Sequence, residues 1–169
     1  MLSHKKSLDI LRKTNALLEG HFVLSSGLHS SKYIQCAKLL SYPSKATKIC
    51  KSLALKIKKK FKKIDLILAP AMGGIIIGYE IGRILNKETI FCERVKGKFT
   101  LRRGFEIKKA NASLVGFATI IDRSSKKTLK IKRKVISHLK INVPTYRKNN
   151  LPRDLANKPI NKPGSRYIK

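Results

Sequence analysis

Residues 64–85 leave this chain few folds to choose from: Ile-Asp-Leu-Ile-Leu-Ala-Pro-Ala-Met-Gly-Gly-Ile-Ile-Ile-Gly-Tyr-Glu-Ile-Gly-Arg-Ile-Leu. They read as a strand, a tight glycine turn and a helix. Ile64 to Ala69 is a short apolar run broken only by Asp65, the pattern of a strand buried on both faces. Pro70 has no N–H to give a ladder and closes the strand. Gly73 and Gly74 let the backbone turn sharply and approach a ligand closely. The helix that follows points its unpaired N–H groups back at that turn, so the geometry suits an anion. An ordinary strand-to-helix turn in an α/β domain has the same pattern, so from these residues alone both readings stand.

The 169 residues suit one domain, 1–169, with 42% hydrophobic content to build a core. No apolar run approaches the roughly 20 residues of a membrane span. The first residues, Met-Leu-Ser-His-Lys-Lys, lack the apolar block of a signal peptide. A cytoplasmic location is the expectation. Cys36, Cys50 and Cys92 are odd in number and widely spaced, which suggests buried free thiols and neither a disulfide framework nor a metal site. The net charge is +30, from 39 basic and 9 acidic residues. Such a charge attracts phosphates and nucleic acid non-specifically. Of the basic residues 29 are lysines, point charges less suited than arginine to bidentate recognition. A dedicated nucleic-acid site is therefore the weaker reading.

Taken in order, residues 5–19 show helical spacing of Leu8, Leu11, Leu17 and Leu18, with Ser7 as the cap and Gly20 as the stop. Residues 21–36 read as two short strands around a Ser-Gly turn. Ser44 opens a helix to about Phe61, and the lysines of 58–63 form its solvated end. Glu88 to Glu93 is a second buried strand. Then Arg94, Lys96, Lys98, Arg102 and Arg103 crowd a segment bracketed by Gly97 and Gly104. It has the pattern of a β-ribbon with a mobile tip, either a loop that closes on a polyphosphate or a basic surface hairpin. Leu114 to Ile121 is a third buried strand, ending in Asp122-Arg123-Ser124-Ser125 where ligands bind in α/β sheets. Leu129 to Ile136 suggests a further strand or a short helix, and the tail after Val143 is irregular.

These residues together resemble the bacterial orotate phosphoribosyltransferases. The matching stretches are Leu18–Cys36, Ala69–Gly78, Glu93–Ile107, Gly116–Ser124, Val143–Tyr146 and Lys162–Arg166. They keep the family's order and span nearly the whole chain. The resemblance implies an α/β, type I phosphoribosyltransferase fold: a mostly parallel sheet flanked by helices, with a small hood from about 18–36 plus the tail. It implies transfer of phosphoribosyl from phosphoribosyl pyrophosphate to orotate in pyrimidine (UMP) biosynthesis, with Mg²⁺, giving orotidine 5′-phosphate and pyrophosphate. By the same resemblance Ala71, Met72, Gly73 and Gly74 form the pyrophosphate loop, with Arg102 as a further contact. Arg94 and Lys98 are the catalytic candidates of a loop that reaches into the neighbouring subunit of a homodimer. Arg123 falls at the family's orotate-binding arginine, and Ser25 and Tyr33 belong to the hood that covers the ring. Another branch of the family carries a catalytic lysine at the position of Ser25.

One family feature has no counterpart. Relatives place a strand ending in two adjacent acids, a glycine-rich loop and a helix before the Val-Gly-Phe-Ala strand, to hold the ribose 5′-phosphate and hydroxyls. Here Ile107 passes to Leu114 through six residues, and no two of the nine acids are adjacent. A parallel crossover needs a dozen or more residues. The expectation is one core βα unit missing, with either an altered topology or a gap in the sheet. Two functional readings follow: an orotate phosphoribosyltransferase, or a non-catalytic phosphoribosyltransferase-like remnant or basic RNA-associating protein.

Overall fold

Helix α1 (His4–Lys13) opens the chain, capped by Ser3, whose hydroxyl accepts from the Lys6 N–H at 3.3 Å. The spacing of Leu8 to Leu18 predicts a longer helix capped by Ser7, and the structure corrects both points. Ser7 is buried inside the helix, and the helix stops at Lys13. Thr14 bonds back to the Ile10 carbonyl at 2.8 Å, and Asn15 takes φ 53°, a left-handed turn that asparagine tolerates. Leu17 and Leu18 therefore belong to strand β1 (Leu17–Val23), and Gly20 lies within that strand instead of ending a helix. The computed structural model describes residues 1–107, 112–124 and 131–163.

β1 pairs antiparallel with β2 (His29–Ile34). Their register shifts between Glu19 and Phe22. The consequence is that His21 and Phe22, consecutive residues, are both buried, which simple alternation does not allow. Two short tail strands, β8 (Thr145–Tyr146) and β9 (Ile160–Asn161), complete a sheet of order β8-β2-β1-β9. The tail that reads as irregular thus folds back onto the hood. The hydroxyl of Ser30 donates to the Pro144 carbonyl at 2.9 Å, and a short helix α5 (Arg153–Ala156) buries Leu155.

Helix α2 (Cys36–Leu40) leads to α3 (Pro43–Lys60), which starts one residue before the expected Ser44, with Pro43 in its first turn. It buries Ile49, Cys50, Leu53, Ala54 and Ile57 and leaves its lysine-rich end exposed. Strand β3 (Leu66–Pro70), helix α4 (Ile75–Leu85), strand β4 (Glu88–Val95) and strand β5 (Lys98–Leu101) follow. β3 and β4 are parallel, and β4 and β5 form an antiparallel hairpin. β6 (Gly116–Asp122) and β7 (Lys134–Lys140) form a separate parallel pair. The second half of the 129–136 segment is thus the start of a strand, while Leu129 and Ser125 lie outside the described residues.

Among the described residues the two half-sheets share no hydrogen-bonded neighbour. What joins them is α3. Its Ile49 belongs to a cluster with Leu11, Leu17, Leu39, Ile120 and Leu139. Its Leu53 and Ile57 belong to another with Ile81, Ile67 and Ile136. Phe61 lies so close to Gly116 that a side chain there would meet the ring. The expectation of strands buried on both faces is corrected here. α4 covers Ala69, while Leu68 on the other face is 46% exposed and Phe117 of β6 is 41% exposed. Leu114 and Val115 precede β6 and are exposed as well. No helix among the described residues is long and apolar enough to cross a membrane.

Candidate functional site

The turn between β3 and α4 is shaped by its own backbone. The Ala71 N–H donates to the Cys92 carbonyl at 2.8 Å, and the Gly74 N–H to the Pro70 carbonyl at 2.9 Å. Gly74 is required: a Cβ there would fall 2.8 Å from the Pro70 ring. Gly73 faces open space, and Met72 is 82% exposed. The N–H groups of Met72 and Gly73 have no partner among the described residues. Two free donors beside the N-terminus of an 11-residue helix make a ready anion cradle. The peptide bond between Ala71 and Met72 is cis.

The basic hairpin starts next to this cradle, because Pro70 and Cys92 are register partners. Its turn residues, Lys96 and Gly97, both have positive φ, 47° and 81°, the geometry of a tight two-residue hairpin. Arg94 donates to the Gly97 carbonyl at 3.1 Å, and its guanidinium sits 4.6 Å from the centre of the Phe99 ring. Lys98 is exposed. Arg102 and Arg103 both reach Glu93, at 3.1 and 2.8 Å. The Arg103 bond, ahead of the other contacts, holds the Glu93 carboxyl below its ordinary range. Arg102, expected on pyrophosphate, is thus tied to the hairpin base in this structure. Glu93 escaped the sequence reading, though it stands across a Lys-Gly turn from two arginines, a spacing that flags a cross-strand ion pair.

Arg123 follows the end of β6 and is exposed. Asp122 does not pair with it. The Asp122 carboxylate accepts from the Ser124 hydroxyl at 2.6 Å and the Ser124 N–H at 2.8 Å, and these bonds lower its pKa. The turn is closed by Ser124, and the Cys36 thiol is raised by burial, with the charge of Arg123 opposing that rise. Ser25 lies exposed in the hood turn, which Gly27 closes at φ 78° with its N–H on the Leu24 carbonyl at 2.9 Å. Tyr33 is half-buried, its ring 5.8 Å from that of Phe22. The structure brings the cradle and the hairpin base together. Among the described residues Arg123 makes no hydrogen bond or ion pair with Ser25 or Tyr33.

A buried pair in the hood also escaped the sequence reading. The rings of His21 and His29 are joined by a 2.6 Å nitrogen–nitrogen hydrogen bond. His21 Nδ1 lies 3.3 Å from the Lys158 carbonyl, which only accepts, so Nδ1 carries the proton. In neutral His21 Nε2 then accepts, and His29 donates. The pair ties both hood strands to the tail. Its signal was the His-Phe and His-Ser placement eight residues apart across a Ser-Gly turn.

The orotate phosphoribosyltransferase of Parvibaculum lavamentivorans is 39% identical over 194 residues, covering 99% of this chain and all of that one. That of Erythrobacter litoralis is 36% identical over 192 residues, covering 98% of this chain and 99% of that one. The chain belongs to the orotate phosphoribosyltransferase family. Among solved structures, the orotate phosphoribosyltransferase of Francisella tularensis superposes with a TM-score of 0.61 at 19% identity, over 83% of this chain and 84% of that one. At that identity it shows the fold alone, which is the type I phosphoribosyltransferase fold. No family model matches the chain. The 194-position alignment exceeds the 169 residues present here, so that relative carries residues this family member lacks.

Proposed function

We propose that this chain transfers a phosphoribosyl group from phosphoribosyl pyrophosphate to orotate, in the cytoplasm, for pyrimidine nucleotide synthesis. The observation that supports it most is the cradle of free N–H groups at Met72 and Gly73 beside the root of a basic hairpin. The reaction puts negative charge on departing pyrophosphate. Donors fixed before the reaction stabilise that charge without reorganising. In this reading Ala71 to Gly74 hold pyrophosphate, and Arg94 and Lys98 close over it from the hairpin. Arg102 exchanges Glu93 for phosphate. Arg123 forks onto the orotate carboxylate, and Ser25 and Tyr33 cover the ring from the hood. The hairpin completes the site of a partner protomer in a homodimer.

The described residues include no cluster of His, Cys, Asp and Glu able to hold a metal ion. Glu93 is engaged by two arginines and Asp122 by Ser124. In this reading Mg²⁺ arrives on the pyrophosphate of the substrate.

A second reading, a non-catalytic family member, is favoured by one observation: no two acids adjoin in the sequence, so no pair grips the ribose hydroxyls. In that reading the +30 charge draws the protein onto RNA. A single-turnover assay of orotate loss with phosphoribosyl pyrophosphate and Mg²⁺ separates the two. Loss of orotate in step with orotidine 5′-phosphate is expected. Turnover no greater than that of a heat-killed sample sinks the enzyme reading, and sequence-selective RNA binding that survives high salt then favours the second over charge attraction alone.

A further inference from the structure

β3 bonds to β4 on one side only, and β6 bonds to β7 on one side only. Among the described residues each therefore presents unpaired backbone groups along its other edge. The sheet face turned away from α4 is bare as well. Leu68 of β3 is 46% exposed, and the register partners Phe117 and Val135 are 41% and 36% exposed. Parallel sheets are normally covered on both faces, and open edges accept strands. An edge without a strand and a face without a helix are the two vacancies that one strand-and-helix unit fills.

We propose that this opening is a docking site for a strand-and-helix segment of a partner protein, acidic in character. Its strand pairs with the free edges of β3 and β6, and its helix covers Leu68, Phe117 and Val135. Size and charge argue for this occupant. The alignment with the Parvibaculum protein spans 194 positions against 169 residues here, a shortfall of about one such unit. Exposed Lys62 and Lys63 precede β3, exposed Arg123 follows β6, and exposed Lys134 begins β7. A second copy docked edge to edge here would set its own Lys62, Lys63, Arg123 and Lys134 against this rim, which disfavours it at this edge. The inference stands apart from orotate transfer, because binding and not turnover reports it.

The probe is a synthetic peptide of about 25 residues: a short valine and isoleucine strand, a glycine turn and a glutamate-rich amphipathic helix. Hydrogen exchange of the whole chain is followed with and without it. Saturating peptide is expected to slow exchange about tenfold or more at 66–70 and 116–122, with no change at 17–23 in the hood. Affinity is expected to fall about tenfold between low and physiological salt, as charge complementarity requires. Leu68→Lys combined with Phe117→Lys abolishes the protection while circular dichroism and hood exchange stay unchanged, since both side chains are already exposed. Absence of protection at β3 and β6 overturns the docking site. Equal protection by a lysine-rich version of the same peptide overturns the acidic occupant. Protection at 66–70 and 116–122 that appears without peptide and grows with protein concentration assigns the edge to a second copy and overturns the proposal.

Discussion

Gly78 and Gly82 stand one turn apart on the face of α4 that lies against the sheet. A Cβ at Gly78 would collide with that of Ala69, and one at Gly82 with the Thr89 hydroxyl. Gly78→Ala gains about 1 kcal/mol of helix propensity but forces helix and strand apart, an overpacking that costs about 1–3 kcal/mol. The expected net is destabilisation, read as a lower urea midpoint. Gly73→Ala meets nothing and is expected to leave the midpoint within about 0.5 kcal/mol. A midpoint that does not move in Gly78→Ala refutes the close approach. His138 carries a different prediction. It is 4% exposed, its Nε2 lies 2.8 Å from the Ser7 hydroxyl, which spends its own proton on the Ser3 carbonyl and so accepts from Nε2, and its Nδ1 is buried with no partner among the described residues. Burial above all, then the charges of Lys56 and His4, push its pKa down to about 4. The unfolded chain then binds a proton the folded chain refuses, so stability is full above about pH 6.5 and declines toward pH 4. The melting temperature is expected to drop between pH 6.5 and 5, above the range where carboxylates titrate. His138→Gln keeps an amide for Ser7 and is expected to flatten that slope. None of these contacts was legible in the sequence, because each depends on how separate elements pack against one another.

At the scale of elements, legibility followed the locality of the signal. The strand, glycine turn and helix of 66–85 and the hairpin of 88–101 are written in consecutive residues, and both appear where expected. The α1 boundary was misplaced because Leu17 and Leu18, which continue the helical spacing from Leu11, fit the start of a strand equally well, one on each face. Asn15, the residue that ends the helical path, carries no apolar signal. The tail strands are two residues each and exist only because β1 and β2 offer edges to pair with. Of the candidate site, the cradle and the hairpin were readable. The engagement of Arg102 by Glu93 was not, since it requires knowing the hairpin register. The hairpin carries its own test. Lys98→Ala removes an exposed charge and is expected to lower turnover by about tenfold or more with an unchanged melting temperature. Arg94→Ala also removes the bond to Gly97 and the stack on Phe99. It is therefore expected to lower turnover and to speed exchange at 98–101 as well. Equal turnover in both variants and the native chain removes the hairpin from the mechanism.

Across the whole molecule one quantity dominates, the +30 net charge. Self-repulsion of this size loosens the folded state at low ionic strength, and salt screens it over about 10 Å at 0.1 M. Any anion is therefore expected to raise the melting temperature. A rise with phosphate or pyrophosphate alone is no sign of a site. The discriminating experiment matches ionic strength. Sodium pyrophosphate and sodium chloride are compared at equal ionic strength, with pyrophosphate near 1 mM. Screening is then equal, and only binding to the folded chain separates the curves, by RT ln(1 + [L]/Kd), about 2.7 kcal/mol when the ligand is at a hundred times its dissociation constant. The native chain is expected to melt several degrees higher in pyrophosphate. Arg94→Ala with Lys98→Ala is expected to shrink that difference while leaving the rise with sodium chloride intact, because two charges are a small part of the net repulsion. Identical curves in the two salts would mean that the cradle at Met72 and Gly73 holds no pyrophosphate. The charge would then act on the molecule only as a uniform field.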